Sequence, residues 1–104
     1  MDAQMKKGLL DTCVLAVLNK GDSYGYQIVK DVSNAIEISE STLYPLLKRL
    51  EAAGMLKTYS IEHNGRLRKY YRITDEGKTK ISEFLESWPE IELVHAFIKE
   101  GSRS

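Results

Sequence analysis

Cysteine is all but missing from this chain. Cys13 stands alone, so an internal disulfide framework and a cysteine-rich zinc site are both excluded. Histidine is nearly as scarce: His63 and His95 lie far apart in sequence and lack companion ligands, so no metal site is expected. No glycine-rich phosphate loop is present, and no nucleophile, base and acid converge in the sequence, so neither an enzyme nor a cofactor is expected. The longest unbroken apolar run, Cys13–Leu18, is far shorter than the roughly 18 residues a membrane span requires. Asp11 interrupts the apolar stretch after MDAQMKKG, and no small-residue cleavage site closes it. The expectation is therefore a soluble, cytoplasmic protein with no membrane partner.

Net charge is also missing: fifteen basic and fifteen acidic residues cancel, which argues against holding nucleic acid by bulk positive charge. The distribution is uneven, however. Residues 1–40 sum to −2, residues 41–80 to +5 and residues 81–104 to −3. A basic middle between acidic flanks suits a small module that meets a polyanion with one face, although chance clustering on a solvated surface would give the same sums.

What is present fits a single domain: 104 residues, 42% hydrophobic and 29% charged. Leu9–Leu18 is apolar at eight of ten positions, which predicts a helix buried on most sides, with one face on its own domain and another on a partner chain. Cys13 in that stretch reads as a small core residue. Gly21 ends this helix, and Asp22 or Ser23 is expected to cap a second one over Tyr24–Ser33, with Tyr26, Ile28, Val29 and Val32 on its buried side. Gly25 in its first turn implies close approach of another backbone or a ligand. Leu43, Leu46, Leu47 and Leu50 follow helical spacing in a third helix that begins near Ser41 and ends at Gly54. Its outward face is then Ser41, Tyr44, Pro45 and Lys48.

From Met55 the period changes to two. Leu56–Ile61 and Arg68–Ile73 read as strands joined through residues 62–67, where Asn64-Gly65 is a hairpin signal. Tyr70 and Tyr71 must face opposite ways, so one of them is core. Thr74 caps a last helix, whose Ile81, Phe84, Trp88, Ile91, His95 and Ile98 form a coiled-coil-like seam. Pro89 should kink it or mark a fresh start, with Ser87 and Glu90 spaced as a capping box, and the final Gly-Ser-Arg-Ser should fray. The fold class is mainly α with a small β-hairpin, a winged helix-turn-helix over residues 1–75 followed by one C-terminal dimerisation helix over 76–104. In such a fold a helix fits the major groove while a basic hairpin lies against phosphates or the minor groove.

Three blocks, Tyr24-Gly25-Tyr26-Gln27-Ile28, Ser41 to Glu51 (STLYPLLKRLE) and Asn64 to Thr74 (NGRLRKYYRIT), resemble the signature blocks of PadR-like transcriptional regulators. Glu86-Ser87-Trp88 and the single short last helix resemble the compact subgroup that includes a lactococcal multidrug-resistance regulator, in which paired tryptophans line a drug pore between subunits. The resemblance implies a homodimer that represses a nearby transporter or stress gene and leaves its operator, a double-stranded DNA site, when a small molecule binds; the Trp88 ring and the Glu92 carboxylate would suit a planar aromatic or cationic one. It assigns Ser41, Thr42, Tyr44 and Lys48 to the recognition helix, and Asn64, Gly65, Arg66, Arg68 and Lys69 to the wing. Trp88, with Leu9, Thr12, Ile91 and Glu92, would line the pore; a tryptophan on such a seam can equally be dimer core. Two departures from the family pattern stand out: Leu67 replaces the usual wing proline, and Pro89 directly follows Trp88. The competing expectation is a winged-helix module that serves only protein–protein contact.

Overall fold

The computed structural model describes residues 1–103; Ser104, the end of the expected fraying tail, lies outside them. Four helices and a small antiparallel sheet follow in the order α1 (Ala3–Asn19), β1 (Ser23–Tyr24), α2 (Gly25–Val32), α3 (Glu40–Ala52), β2 (Leu56–His63), β3 (Arg66–Ile73) and α4 (Asp75–Gly101). This is a winged helix-turn-helix with an added C-terminal helix, as expected.

Asp2 starts α1 by accepting the Met5 N–H at 2.9 Å. The helix buries Leu10, Val14, Leu15 and Leu18 and leaves Leu9, Thr12 and Cys13 half-buried on its other flank. Ile28 and Val32 of α2, the four leucines of α3, Leu56 of β2 and Tyr71 of β3 complete one core. Between the two tyrosines, Tyr71 is therefore the core residue. Tyr26 is not on the buried side as expected: it is exposed, because the core face of α2 is set by Gly25, Ile28 and Val32.

The expected cap on α2 is also corrected. Neither Asp22 nor Ser23 caps it; Tyr24 occupies the cap position without a side-chain bond, because Ser23 and Tyr24 are drawn into a third strand. The sheet order is β1-β3-β2, with Ser23 opposite Tyr71 and Tyr24 opposite Tyr70. The hairpin is tighter than its sequence suggested. Strand pairing runs through His63 opposite Arg66, so the connection is Asn64-Gly65 alone, with φ of 50° and 79°. Those positive values are what a two-residue type I′ turn demands, and they match the twist of the flanking strands.

Ser39 precedes α3, and the helix ends with Gly54 N–H to the Glu51 carbonyl and Met55 N–H to the Leu50 carbonyl. Thr74 caps α4 as expected, accepting the Gly77 N–H at 3.2 Å. Pro89 neither breaks nor restarts α4, which is one continuous helix of 27 residues. Ser87 does not act as a cap; its hydroxyl donates to the Glu83 carbonyl at 2.9 Å. The bond Pro89 cannot make frees the Leu85 carbonyl, and that residue is open to solvent rather than held in an apolar interior. The first turns of α4 pack on α1 and β3, whereas every residue from Leu85 to Arg103 is exposed. The arm thus formed stretches the molecule to 64 Å along its long axis, against 26 and 21 Å in the other two directions. No helix among the described residues is long and apolar enough to cross a membrane.

Candidate nucleic-acid interface

The leucine face of α3 is anchored in the core, so the opposite face must point outward. Ser41, Tyr44, Pro45 and Lys48 are all exposed, as the spacing predicted, and so is Thr42, which the resemblance alone had assigned. At the helix start the hydroxyls form a cluster: Ser39 lies 3.0 Å from the Ser41 hydroxyl and donates to that of Thr42 at 3.2 Å. Ser39 thus joins the surface, although its place before the helix gave no helical-spacing signal.

The wing meets this helix across a cleft of about 660 Å³ lined by Tyr24, Gly25, Tyr26, Tyr44, Arg68, Lys69 and Tyr71. Asn64, Gly65 and Arg66 sit exposed at the wing tip, and Lys69 is exposed on the return strand. Arg68 differs from its neighbours. It is half-buried, its guanidinium lies over the Tyr24 ring at 4.1 Å, and Nη1 donates to the Tyr70 hydroxyl at 3.5 Å. Tyr70 in turn stacks on Tyr59 at 5.6 Å and meets Tyr24 edge-on at 5.5 Å. The wing is therefore stiffened by an aromatic ladder with one arginine laid over it.

At the wing base, Asp22 accepts hydrogen bonds from Arg72 Nε at 3.0 Å and from the Tyr59 hydroxyl. These bonds, Arg72 first and Tyr59 second, hold the Asp22 carboxyl below its usual range, while its acceptance of the Tyr59 proton keeps that phenol up. The turn after α1 is thereby tied to both strands of the wing. A second cross-link joins α1 to α3: Arg49 donates to both Asp11 oxygens at 2.8 and 2.9 Å. Neither pair shows in a one-dimensional reading, because its partners lie in elements far apart in sequence.

The residues expected to line a pore do not form one site within a single chain. Trp88, Ile91 and Glu92 share a hollow with His95 on the free arm of α4. Thr12 faces a different hollow where α1 crosses α4, among Phe84, Ser87, Lys80 and Glu83. Leu9 is half-buried on α1. Phe84 links the two places, its ring 6.0 Å from that of Trp88.

A helix whose outward face carries hydroxyls and a lysine, flanked by a stiff basic hairpin, defines the winged helix-turn-helix class of transcriptional regulators. Within that class the chain belongs to the PadR-like family: the model of the transcriptional regulator PadR-like family matches residues 14–83. An uncharacterized protein of Lysinibacillus sphaericus is 36% identical over 100 residues, covering 91% of this chain and 92% of that protein. A solved transcriptional regulator of Clostridium thermocellum is 36% identical, with a TM-score of 0.79 and 99% of each chain covered. Bacillus subtilis PadR, solved in complex with operator DNA, is 28% identical with a TM-score of 0.68, covering 74% of this chain and 46% of that one.

Proposed function

We propose that this protein is a homodimeric repressor that holds operator DNA with α3 in the major groove and the wing against the adjoining backbone. The observation that carries the reading is the shared cleft between Tyr44 of α3 and Lys69 of β3, which puts the recognition helix and the wing on one continuous face. On that face Ser41, Tyr44 and Lys48 reach base edges and nearby phosphates, with Thr42 on the other flank of α3, and Asn64, Gly65, Arg66 and Lys69 track the backbone. Arg68 contributes through the donors it does not spend on Tyr70. The operator complex of Bacillus subtilis PadR, a structural relative, supports the same use of the fold here.

Dimerisation is supported by the α4 arm. Leu85, Trp88, Ile91, Leu93, Val94, Phe97 and Ile98 are all exposed on it, a larger apolar surface than a monomer of this size ordinarily leaves in water. Residues 1–75 then serve as the DNA-binding unit and 76–104 as the dimerisation helix. In the two-fold assembly Trp88, Ile91 and Glu92 meet a second copy of themselves, with Leu9 and Thr12 of α1 nearby, and a planar cationic effector fits between the rings. Such a ligand releases DNA only if it favours a dimer with a different half-site spacing. This behaviour resembles that of the multidrug-sensing subgroup, and it is exercised in the cytoplasm, alongside the DNA.

The deciding experiment is a footprint on the DNA upstream of the protein's own coding region. Protection of a two-fold symmetric site, lost at high salt, is expected. Absence of protection, together with a duplex affinity that does not respond to salt, would leave the fold as a protein-contact module.

A further inference from the structure

The wing covers only one flank of α3. At about 100° per residue, Thr42 and Arg49 lie roughly 150° around the helix from Tyr44, so a second flank faces away from the wing. There the structure holds a cleft of about 650 Å³ between α3 and the N-terminal half of α1. Its walls include Lys6, Lys7, Arg49, Thr42 and Pro45, with Glu37 the one acid lining it. Arg49 is engaged by Asp11, but neither Lys6 nor Lys7 is in an ion pair among the described residues. The hydroxyls of Ser39 and Thr42 open onto the same cleft, at the end of α3 that leads into the groove.

We infer that Lys6 and Lys7 of α1 form a second phosphate-contacting arm, which grips the DNA strand across the major groove from the one the wing grips. This rests on the DNA-binding reading above and extends its surface to an element outside the three motif blocks. The physical reason is geometric. A helix lying in a major groove about 12 Å wide has a sugar-phosphate backbone on each side, and cations on both flanks fix its register where cations on one flank would let it roll. The wing supplies Arg66 and Lys69 on one side; α1 supplies two free lysines on the other. The charge sums hid this, because residues 1–40 carry net negative charge while the two lysines sit together at one end of α1.

The test is the salt dependence of binding to the footprinted operator duplex, followed by fluorescence anisotropy. In the Lys6→Gln/Lys7→Gln variant the slope of log affinity against log salt should shrink by about 0.9 for each phosphate no longer neutralised. Lys6→Arg/Lys7→Arg should keep the parental slope. Lys78→Gln/Lys80→Gln removes the same charge from the start of α4, where Gly77 packs against the Met55 carbonyl at the far end of α3, and should also keep it. A parental slope in the Lys6/Lys7 glutamine variant, with Lys48→Ala and Arg66→Ala still weakening binding, would overturn the α1 arm and leave the DNA-binding reading standing. If Lys48→Ala and Arg66→Ala are also without effect, both fall together. A weaker affinity with an unchanged slope would mean that the lysines act through the fold, and would overturn the arm as well.

Discussion

Tyr44 lies directly against Gly25: a methyl group added at Gly25 would come within 2.8 Å of the Tyr44 Cζ and still closer to its hydroxyl. The first residue of α2 thus carries no side chain because α3 lays an aromatic ring over it. Gly25→Ala should swing the exposed Tyr44 ring away at little cost to stability, since alanine also favours the helix. Operator affinity should fall by about 1 kcal/mol or more. A double-mutant cycle decides the mechanism: in a Tyr44→Ala background, Gly25→Ala should cost nothing further in binding.

Lys48 and Arg66 project from opposite ends of the proposed DNA face, and neither has a partner in the core. Lys48→Ala and Arg66→Ala should keep the parental melting curve while weakening operator binding, by about 1–3 kcal/mol where the side chain reads a base. Arg68→Met should behave differently. Its guanidinium is laid over Tyr24, so thermal stability should drop by roughly 0.5–1 kcal/mol. Matched denaturation and anisotropy measurements on the three variants separate the two classes.

The Asp22 brace gives the wing a pH window. Asp22 titrates below its unfolded value, so its contribution is complete above the unfolded pKa of about 3.9 and is lost as pH falls through the folded one. Tyr59 titrates above its unfolded value of about 10, so its share is complete below that pH and fades as pH rises through its folded value. Asp22→Asn should therefore flatten the acid limb of the stability profile and, by removing the carboxylate that raises Tyr59, shrink the alkaline limb as well. Amide exchange in β2 and β3, followed from pH 3 to 7, reads the effect where it arises; an acid limb identical to the parent's would show that Asp22 braces nothing.

Phe97→Glu and Leu93→Glu place charge on the exposed arm of α4 and should convert a dimer into a monomer by sedimentation at tens of micromolar, a concentration well above a tight dimer's dissociation constant of about 1 μM or less. Trp88 is the only tryptophan, so its fluorescence reports the proposed effector site directly. A planar cation should quench it in the parent and fail to do so in the monomeric variants. Quenching of equal strength in both would place Trp88 on a site that needs no partner.

Local pattern was enough for the elements whose residues touch near neighbours. The four leucines of α3 and the Thr74 cap needed only spacing and side-chain chemistry, and the Asn64-Gly65 turn only its own backbone preference. The same spacing exposed Ser41, Tyr44, Pro45 and Lys48. The wing strands came out two residues short at each side of the turn, because strand pairing, a cross-strand hydrogen-bond effect, carries His63 and Arg66 into the sheet against weak local β preference.

Long-range partners decided the rest. Ser23 and Tyr24 look like a helix start, yet β3 offers them a strand edge, and Asp22 is taken by Tyr59 and Arg72 before it can cap. Pro89 is a helix breaker by local rule, yet α4 runs through it unbroken, with Leu85, the residue that loses its hydrogen bond, open to solvent. The sequence determined which residues could be core, turn or cap, since those preferences belong to each residue and its nearest neighbours. Only the tertiary structure decided that Arg68 lies over Tyr24, that Arg49 grips Asp11 and that Lys6 and Lys7 share a cleft with α3, because packing in three dimensions joins groups that the chain keeps far apart.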